Sequence, residues 1–281
     1  MRSALTILYI IFICTLIGCS AKSDFGDTND IDIIGHGGSG FETFFNQLPA
    51  NTLASFEKAI LEDEAEGIEM DLQLSKDDVI VVFHDKILEH KTDLTGPVRG
   101  KLFEELNTCD FHGDFAMFSK GKHVISSLEQ VLTYFKDQLQ SKYFYFNIKQ
   151  GVDPDVEKYT QVMSEQLVKI IQSFRIQKNA IIETSDIRLL KQIQLLDSSI
   201  IVMQDIGAFE NDYKYVLENN FMGLVVQNKN ISAEQVMMAQ KSGKKVVIYG
   251  EKTRVGIKEV LSKKPDAFQT DKIDLTKKLA D

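Results

Sequence analysis

GIEMDLQLSKDDVIVVFHD, residues 67–85, alternates in a way that few folds accommodate. In an extended strand, side chains two apart share a face. Glu69 and Asp71 therefore point one way, and Ile68, Met70 and Leu72 the other. Two carboxylates side by side repel each other, and burying them unpaired is costly. A cation, a partner base or open water must offset that cost. The next apolar run, VIVVFH (79–84), reads as a short hairpin partner of this strand, with its turn at Lys76-Asp77-Asp78. It ends on His84-Asp85.

On either side of this stretch, apolar runs of strand length recur: IDIIGH (31–36), YFYFNIK (143–149), AIIETS (180–185), SIIVMQ (199–204), GLVVQN (223–228), KVVIYG (245–250) and AFQTD (267–271). Helical patterns separate nearly all of them, among them TLASFEKAILEDEAE, SLEQVLTYFKDQLQ, VEKYTQVMSEQLVKIIQSF and SAEQVMMAQKSG, with apolar residues at three- and four-residue spacing. The last of these closes on Gly243, a helix cap. Strands alternating with helices imply a parallel sheet. Eight units in about 250 residues suit a (β/α)8 TIM barrel, with a doubly wound open sheet as the alternative on pattern alone. Lys86 to Val124 breaks the alternation and reads as a small insertion after the second barrel strand.

The 281 residues carry a formal net charge of −9, and no basic stripe is present, which argues against a nucleic-acid partner. The N-terminus is set apart from the fold. Arg2 precedes an apolar run from Ala4 to Ile17, the pattern of a secretory signal and too short for a spanning helix. Leu16-Ile17-Gly18-Cys19 resembles the lipobox of bacterial lipoproteins, which implies lipidation at Cys19. The expected organisation is a signal peptide at 1–18, a polar tether at 19–30 and one barrel domain at 31–281. Its expected location is the bacterial cell envelope, lipid-anchored, with Ser20 favouring the outer membrane. An uncleaved anchor with an incidental cysteine is the alternative. Only Cys109 then remains in the folded body, so neither a disulfide framework nor a cysteine-rich metal site is available. A lone cysteine of this kind is expected to be a small buried hydrophobe.

In such a barrel, reactive groups gather at the C-terminal ends of the strands. There the sequence offers His36, followed by Gly37-Gly38-Ser39-Gly40, then Glu69 and Asp71, His84, and the pair Asn147 and Lys149. Carboxylates with an amide oxygen suit a hard divalent metal, Ca²⁺ or Mg²⁺. Two histidines can divide the work of general base and general acid. A lysine and a cation together neutralise a phosphate. The glycine run lacks the spacing of a dinucleotide fingerprint and reads as a tight turn close to a ligand. His90, His112 and His123, all in the insertion, receive no role.

GHGGSGF, LPANTLASFEKA, GIEMDLQLSKDDVIVVFHD, LTGPV, SSLEQVL, FNIK and FQTD also resemble, in order and spacing, the glycerophosphodiester phosphodiesterase family, from about Ile33 to Asp271. The resemblance implies a barrel, a divalent metal, and cleavage of a small-molecule glycerophosphodiester into an alcohol and glycerol phosphate. By it, His36 and His84 are the acid–base pair, Glu69 and Asp71 are metal ligands, and Lys149 holds the phosphate. Three positions depart from the family pattern. Gly37 stands where arginine is usual and can offer phosphate only its backbone N–H. Ala50 replaces a glutamate. Asn147 replaces a metal-binding glutamate; its amide oxygen can ligate but brings no charge. These losses keep two further readings in view, a phospholipid or lysophospholipid phosphodiesterase of similar fold, and a non-catalytic binding protein with a degraded metal site.

Overall fold

Runs such as YFYFNI and GLVVQ are too apolar to expose either face, and a parallel sheet covered by helices buries both. In the computed structural model all eight expected strands form. The structure describes residues 30–41, 48–112, 121–149, 153 and 155–280. The signal, Cys19 and nearly all of the tether lie outside the described residues. In chain order the described elements are β1 (Asp32–Gly35), α1 (Leu53–Glu57), β2 (Gly67–Leu74), β3 (Ile80–Val82), α2 (Phe103–Leu106), α3 (Leu128–Tyr134), β4 (Tyr143–Ile148) and α4 (Val156–Phe174). They continue with β5 (Ala180–Thr184), α5 (Ile187–Leu196), β6 (Ile201–Ile206), α6 (Phe209–Glu218), β7 (Gly223–Gln227), α7 (Ala233–Lys241), β8 (Lys245–Tyr249), α8 (Arg254–Lys263), β9 (Ala267–Thr270) and α9 (Ile273–Ala280).

The strands β1, β2, β4, β5, β6, β7, β8 and β9 pair in parallel, each with the next. The first strand pairs with both β2 and β9, so the sheet closes on itself. This closure rules out the open doubly wound alternative: the fold is a (β/α)8 barrel. The hairpin strand β3 runs antiparallel to β2, with Leu72 opposite Val82. Among the described residues no helix is long and apolar enough to cross a membrane.

Alternation along the strands sorts the side chains into layers. Ile68, Met70, Leu72, Phe144, Phe146 and Ile182 face outward and meet the helices in the larger core. Inside, Ile34, Tyr145, Ile181, Met203, Val225 and Val247 form an apolar plug. Toward the C-terminal ends the inward positions become polar, with Glu69 in register with Tyr145 and, beyond it, Asp71, Asn147 and Glu183, joined by Asp205 and Gln269. The plug keeps water out from below, so this polar layer opens only upward.

Two helices are shorter than their sequence periodicity suggests. The segment from Leu53 runs as α for one turn and then widens into a π turn at Lys58–Glu62. The helix from Leu128 ends at Tyr134, where the chain tightens into successive turns in which Gln138 N–H donates to the Phe135 carbonyl and Ser141 N–H to that of Gln138. The insertion contains more structure than expected. Leu88, Val98, Leu106, Cys109, Phe111 and Ile125 form a small core of their own with Val81 and Phe83 of the hairpin. Cys109 is buried in it, as expected of an inert thiol. Arg99 clamps this unit to the barrel, donating from Nε to Asp153 Oδ2 at 2.6 Å, and from Nη1 to Asp78 Oδ1 at 2.6 Å and to the Ser75 carbonyl.

Phe146 tests the outer core. It is fully buried between β4 and the helices. Phe146→Ala should cost about 3–5 kcal/mol, the lost transfer energy plus a cavity. Urea unfolding measures this directly, and a loss below about 1 kcal/mol would place Phe146 at a site that collapses freely.

Candidate active site

The inward face of β2 carries three polar side chains in succession; the first two hold the two ends of the β1–α1 loop, and the third holds the loop after β3. Glu69 Oε2 accepts the Gly37 N–H at 2.8 Å. Asp71 is gripped twice by Asn51, whose Nδ2 donates to Oδ2 at 2.7 Å and whose Oδ1 accepts the Asp71 N–H at 2.9 Å. Gln73 Nε2 donates to the carbonyls of Phe83 at 2.7 Å and Asp85 at 2.9 Å, which fixes the loop bearing His84. Alternation alone thus ties both loops to one strand.

His36 extends β1, its N–H donating to the Thr270 carbonyl at 3.1 Å. Its Nδ1 lies 3.0 Å from Asp271 Oδ1, just past the end of β9. His84 Nδ1 lies 2.7 Å from Asp85 Oδ1. Both rings flank Phe41, with centroids 4.7 Å and 5.3 Å from it. The two imidazoles therefore share one rim. Lys149 Nζ reaches Asp71 Oδ1 at 3.0 Å. Its strand end is braced because the Tyr159 hydroxyl donates to the Lys149 carbonyl at 3.0 Å.

The electrostatics follow from burial and from these partners. Burial disfavours a charged His36, but the Asp271 hydrogen bond and the charges of Asp271, Glu69 and Asp71 outweigh it and raise the imidazole above its ordinary range. Asp271 pairs with it: burial pushes up, the His36 bond pushes down harder, and the carboxyl is held at about 2. Burial and the neighbouring Asp71 push Glu69 well above the carboxylate range. Asp71 is buried as well, yet Lys149, His84 and Asn51 lower it. The negative charge of the pair therefore concentrates on Asp71. Burial opposes the Lys149 ammonium, but Asp71 and Glu69 prevail and hold it protonated. Burial, followed by Asp205, pushes Glu183 up to about 8, and burial pushes Asp205 up to about 6.

The residues expected from sequence thus fall into one neighbourhood, with two differences. Gly37 was expected to turn its N–H toward a phosphate, but that N–H is donated to Glu69 instead. Its φ is +58°, and an added Cβ would sit 3.0 Å from the Ala50 Cβ and 3.3 Å from the Phe41 ring, so a long side chain in place of Gly37 would be strained. Asn147 lies on the inward face between Asp71 and Glu183 in register, without the charge of its neighbours. Sequence reasoning missed Asn51, Gln73, Asp85, Glu183, Asp205 and Asp271 as parts of the site. Asp85 could have been found from its place next to His84, and Asp271 as the acid that follows the last strand run, but not as the partner of His36.

A cavity of about 530 Å³ opens beside these groups, lined by His84, Asp85, His90, Asn147, Lys149 and Asp205. His90, which received no role, is therefore part of the mouth. A larger depression of about 810 Å³ lies by Asp30, Glu66, Asp266 and Lys277 at the opposite, N-terminal end of the barrel, away from these side chains. Among the described residues no three His, Cys, Asp or Glu side chains stand close enough to enclose a metal ion. Two features nevertheless suit a hard cation: the Glu69–Asp71 carboxylate pair, and Glu69 Oε1, which is buried without a hydrogen-bond partner.

Comparison with known proteins points the same way. Residues 43–275 match the model of the glycerophosphoryl diester phosphodiesterase family. A glycerophosphodiester phosphodiesterase of Bacillus altitudinis is 31% identical over 141 residues, 50% of this chain and 54% of the relative. One from Caldanaerobacter subterraneus is 31% identical over 137 residues, 49% of this chain and 53% of the relative. The chain spans about half the length of these curated relatives. An Oleispira antarctica phosphodiesterase solved with its product sn-glycerol-3-phosphate superposes with a TM-score of 0.77 at 19% identity, covering 88% of this chain and 96% of that one.

The His36–Asp271 pair yields a direct test. Asp271→Asn removes the main group that raises His36, while burial, which lowers it, remains. The His36 imidazole should then titrate at lower pH, read by NMR of the ring protons. An unchanged titration would show that Asp271 does not set its charge.

Proposed function

The chain belongs to the glycerophosphoryl diester phosphodiesterase family, and on that premise we propose that it hydrolyses glycerophosphodiesters to an alcohol and glycerol phosphate. The observation that carries the reading is the pair of imidazole–carboxylate dyads on one rim. A carboxylate only accepts, so each Nδ1 bears the proton and each Nε2 is left for the substrate. A neutral ring then accepts a proton at Nε2, and an imidazolium donates one. The same logic positions the imidazole of serine hydrolases.

In the proposed reaction, one imidazole takes the proton of the attacking hydroxyl, either water or the substrate's own neighbouring alcohol, as the new P–O bond forms. The other gives its proton to the leaving oxygen as the old P–O bond breaks. Lys149 meets the phosphate charge from below, its ammonium held in place by Asp71. Glu69 and Asp71 would hold a divalent cation, Ca²⁺ or Mg²⁺, which would supply Lewis-acid stabilisation of charge on phosphorus. The cavity beside His84 has room for the alcohol part of the substrate. The product held by the Oleispira protein is of the chemical class expected from this cleavage.

We also propose that the protein is exported and tethered to the envelope through a lipid on Cys19. The lipobox-like Leu16-Ile17-Gly18-Cys19 and the polar stretch that follows it support this. Cys19→Ser should abolish incorporation of labelled palmitate and move the protein out of the membrane fraction; retained label would overturn the anchor.

His84→Ala tests the chemistry. The ring is 44% exposed, so the fold should be unaffected, whereas turnover of glycerophosphocholine should fall about 10²–10⁴-fold. Full activity in that variant would exclude His84 from proton transfer. Faster turnover of a lysophospholipid than of glycerophosphocholine by the wild type would point instead to a lipid substrate.

A further inference from the structure

Glu183 takes no part in the steps above, yet it is wholly buried inside the barrel. Asn147 is its register partner on β4, and Asp71 is Asn147's partner on β2. Asp71, Asn147 and Glu183 therefore form one row across three neighbouring strands, all facing inward. One Glu183 oxygen accepts a hydrogen bond from Gln269 Nε2 at 2.8 Å. The other, Oε1, is buried with no hydrogen-bond partner, and Glu69 Oε1 is in the same condition.

Buried polar atoms are nearly always satisfied, and a carboxylate oxygen is among the costliest to leave bare. Two such oxygens, from neighbouring parts of one interior, are what a protein retains for a positively charged ligand. Lys149 answers this only in part, since the contact its ammonium makes is with Asp71.

We propose that Glu183 supplies a carboxylate to the divalent-cation site begun by Glu69 and Asp71, providing from β5 the charge that Asn147 does not bring on β4. The assignment rests on the metal-dependent reading above. Adjacent strands lie about 4.8 Å apart, so the backbones of Asp71 and Glu183 are separated by about 10 Å. Glutamate has three rotatable bonds to span that gap, and Gln269 restrains one oxygen only. The carboxylates stand too far apart to enclose an ion as they are, so cation binding requires the Glu183 side chain to turn Oε1 toward Glu69.

Calorimetric titration of EDTA-treated protein with Ca²⁺ and with Mg²⁺, wild type against Glu183→Gln, reads the site without substrate. The variant should bind the preferred cation at least tenfold more weakly, a loss of about 10- to 100-fold being typical even for groups behind the ligands. Its melting temperature in EDTA should be unchanged or raised, because the amide keeps the shape and removes a buried ionisable group. A carboxylate needed only for the fold would give the reverse, a lower melting temperature with unaltered affinity, and would overturn the assignment. Glu183→Asp, still an acid but one methylene shorter, is the second variant should the amide not fold; undiminished affinity there also counts against it. A wild type that binds neither cation overturns the metal-dependent reading itself, whereas equal affinities in wild type and variant overturn the Glu183 assignment alone.

Discussion

One strand face organises this molecule. Glu69, Asp71 and Gln73 project from β2 into a barrel whose lower half is filled with apolar side chains, so their polarity can be met only from above. What meets it is the two ends of the β1–α1 loop, at Gly37 and Asn51, and the loop after β3. The cost of burying two carboxylates is thereby turned into the force that positions the β1–α1 loop, while Gln73 fixes the other. Asn51 illustrates the economy: held at a φ of +64°, it caps both the side chain and the backbone of Asp71.

The barrel was legible because parallel strands leave long apolar runs, and eight of them survive in the sequence with helices between. The carboxylate pair was legible for a related reason, since period-two spacing places Glu69 and Asp71 on one face wherever the strand goes. The partners of the histidines were harder to see. Asp271 lies 235 residues from His36, and only closure between β1 and β9 makes them neighbours. Glu183 reads as an ordinary polar residue in AIIETS until register sets it beside Asn147. The insertion kept its secret because its core is made of single residues such as Leu88, Val98 and Phe111, with no period that marks them.

The departure at Gly37 has a steric explanation. The left-handed turn that lets its N–H reach Glu69 also brings Ala50 and Phe41 against the place a side chain would need. Gly37 and Ala50 thus belong together: the small residue at 50 makes room for the turn at 37. Positive charge at this rim comes from other elements, Lys149 beside Asp71 and Lys252 with Nζ 3.2 Å from Asp271. The site is therefore wired differently from the family pattern, though the acids and imidazoles still converge.

The bond from His36 to Asp271 crosses the seam at which the barrel shuts. The imidazole on β1 gains its carboxylate only when β9 docks beside β1, so shutting the ring and orienting His36 are one event. A barrel left open at that seam would keep every strand yet leave this ring without its aligning acid.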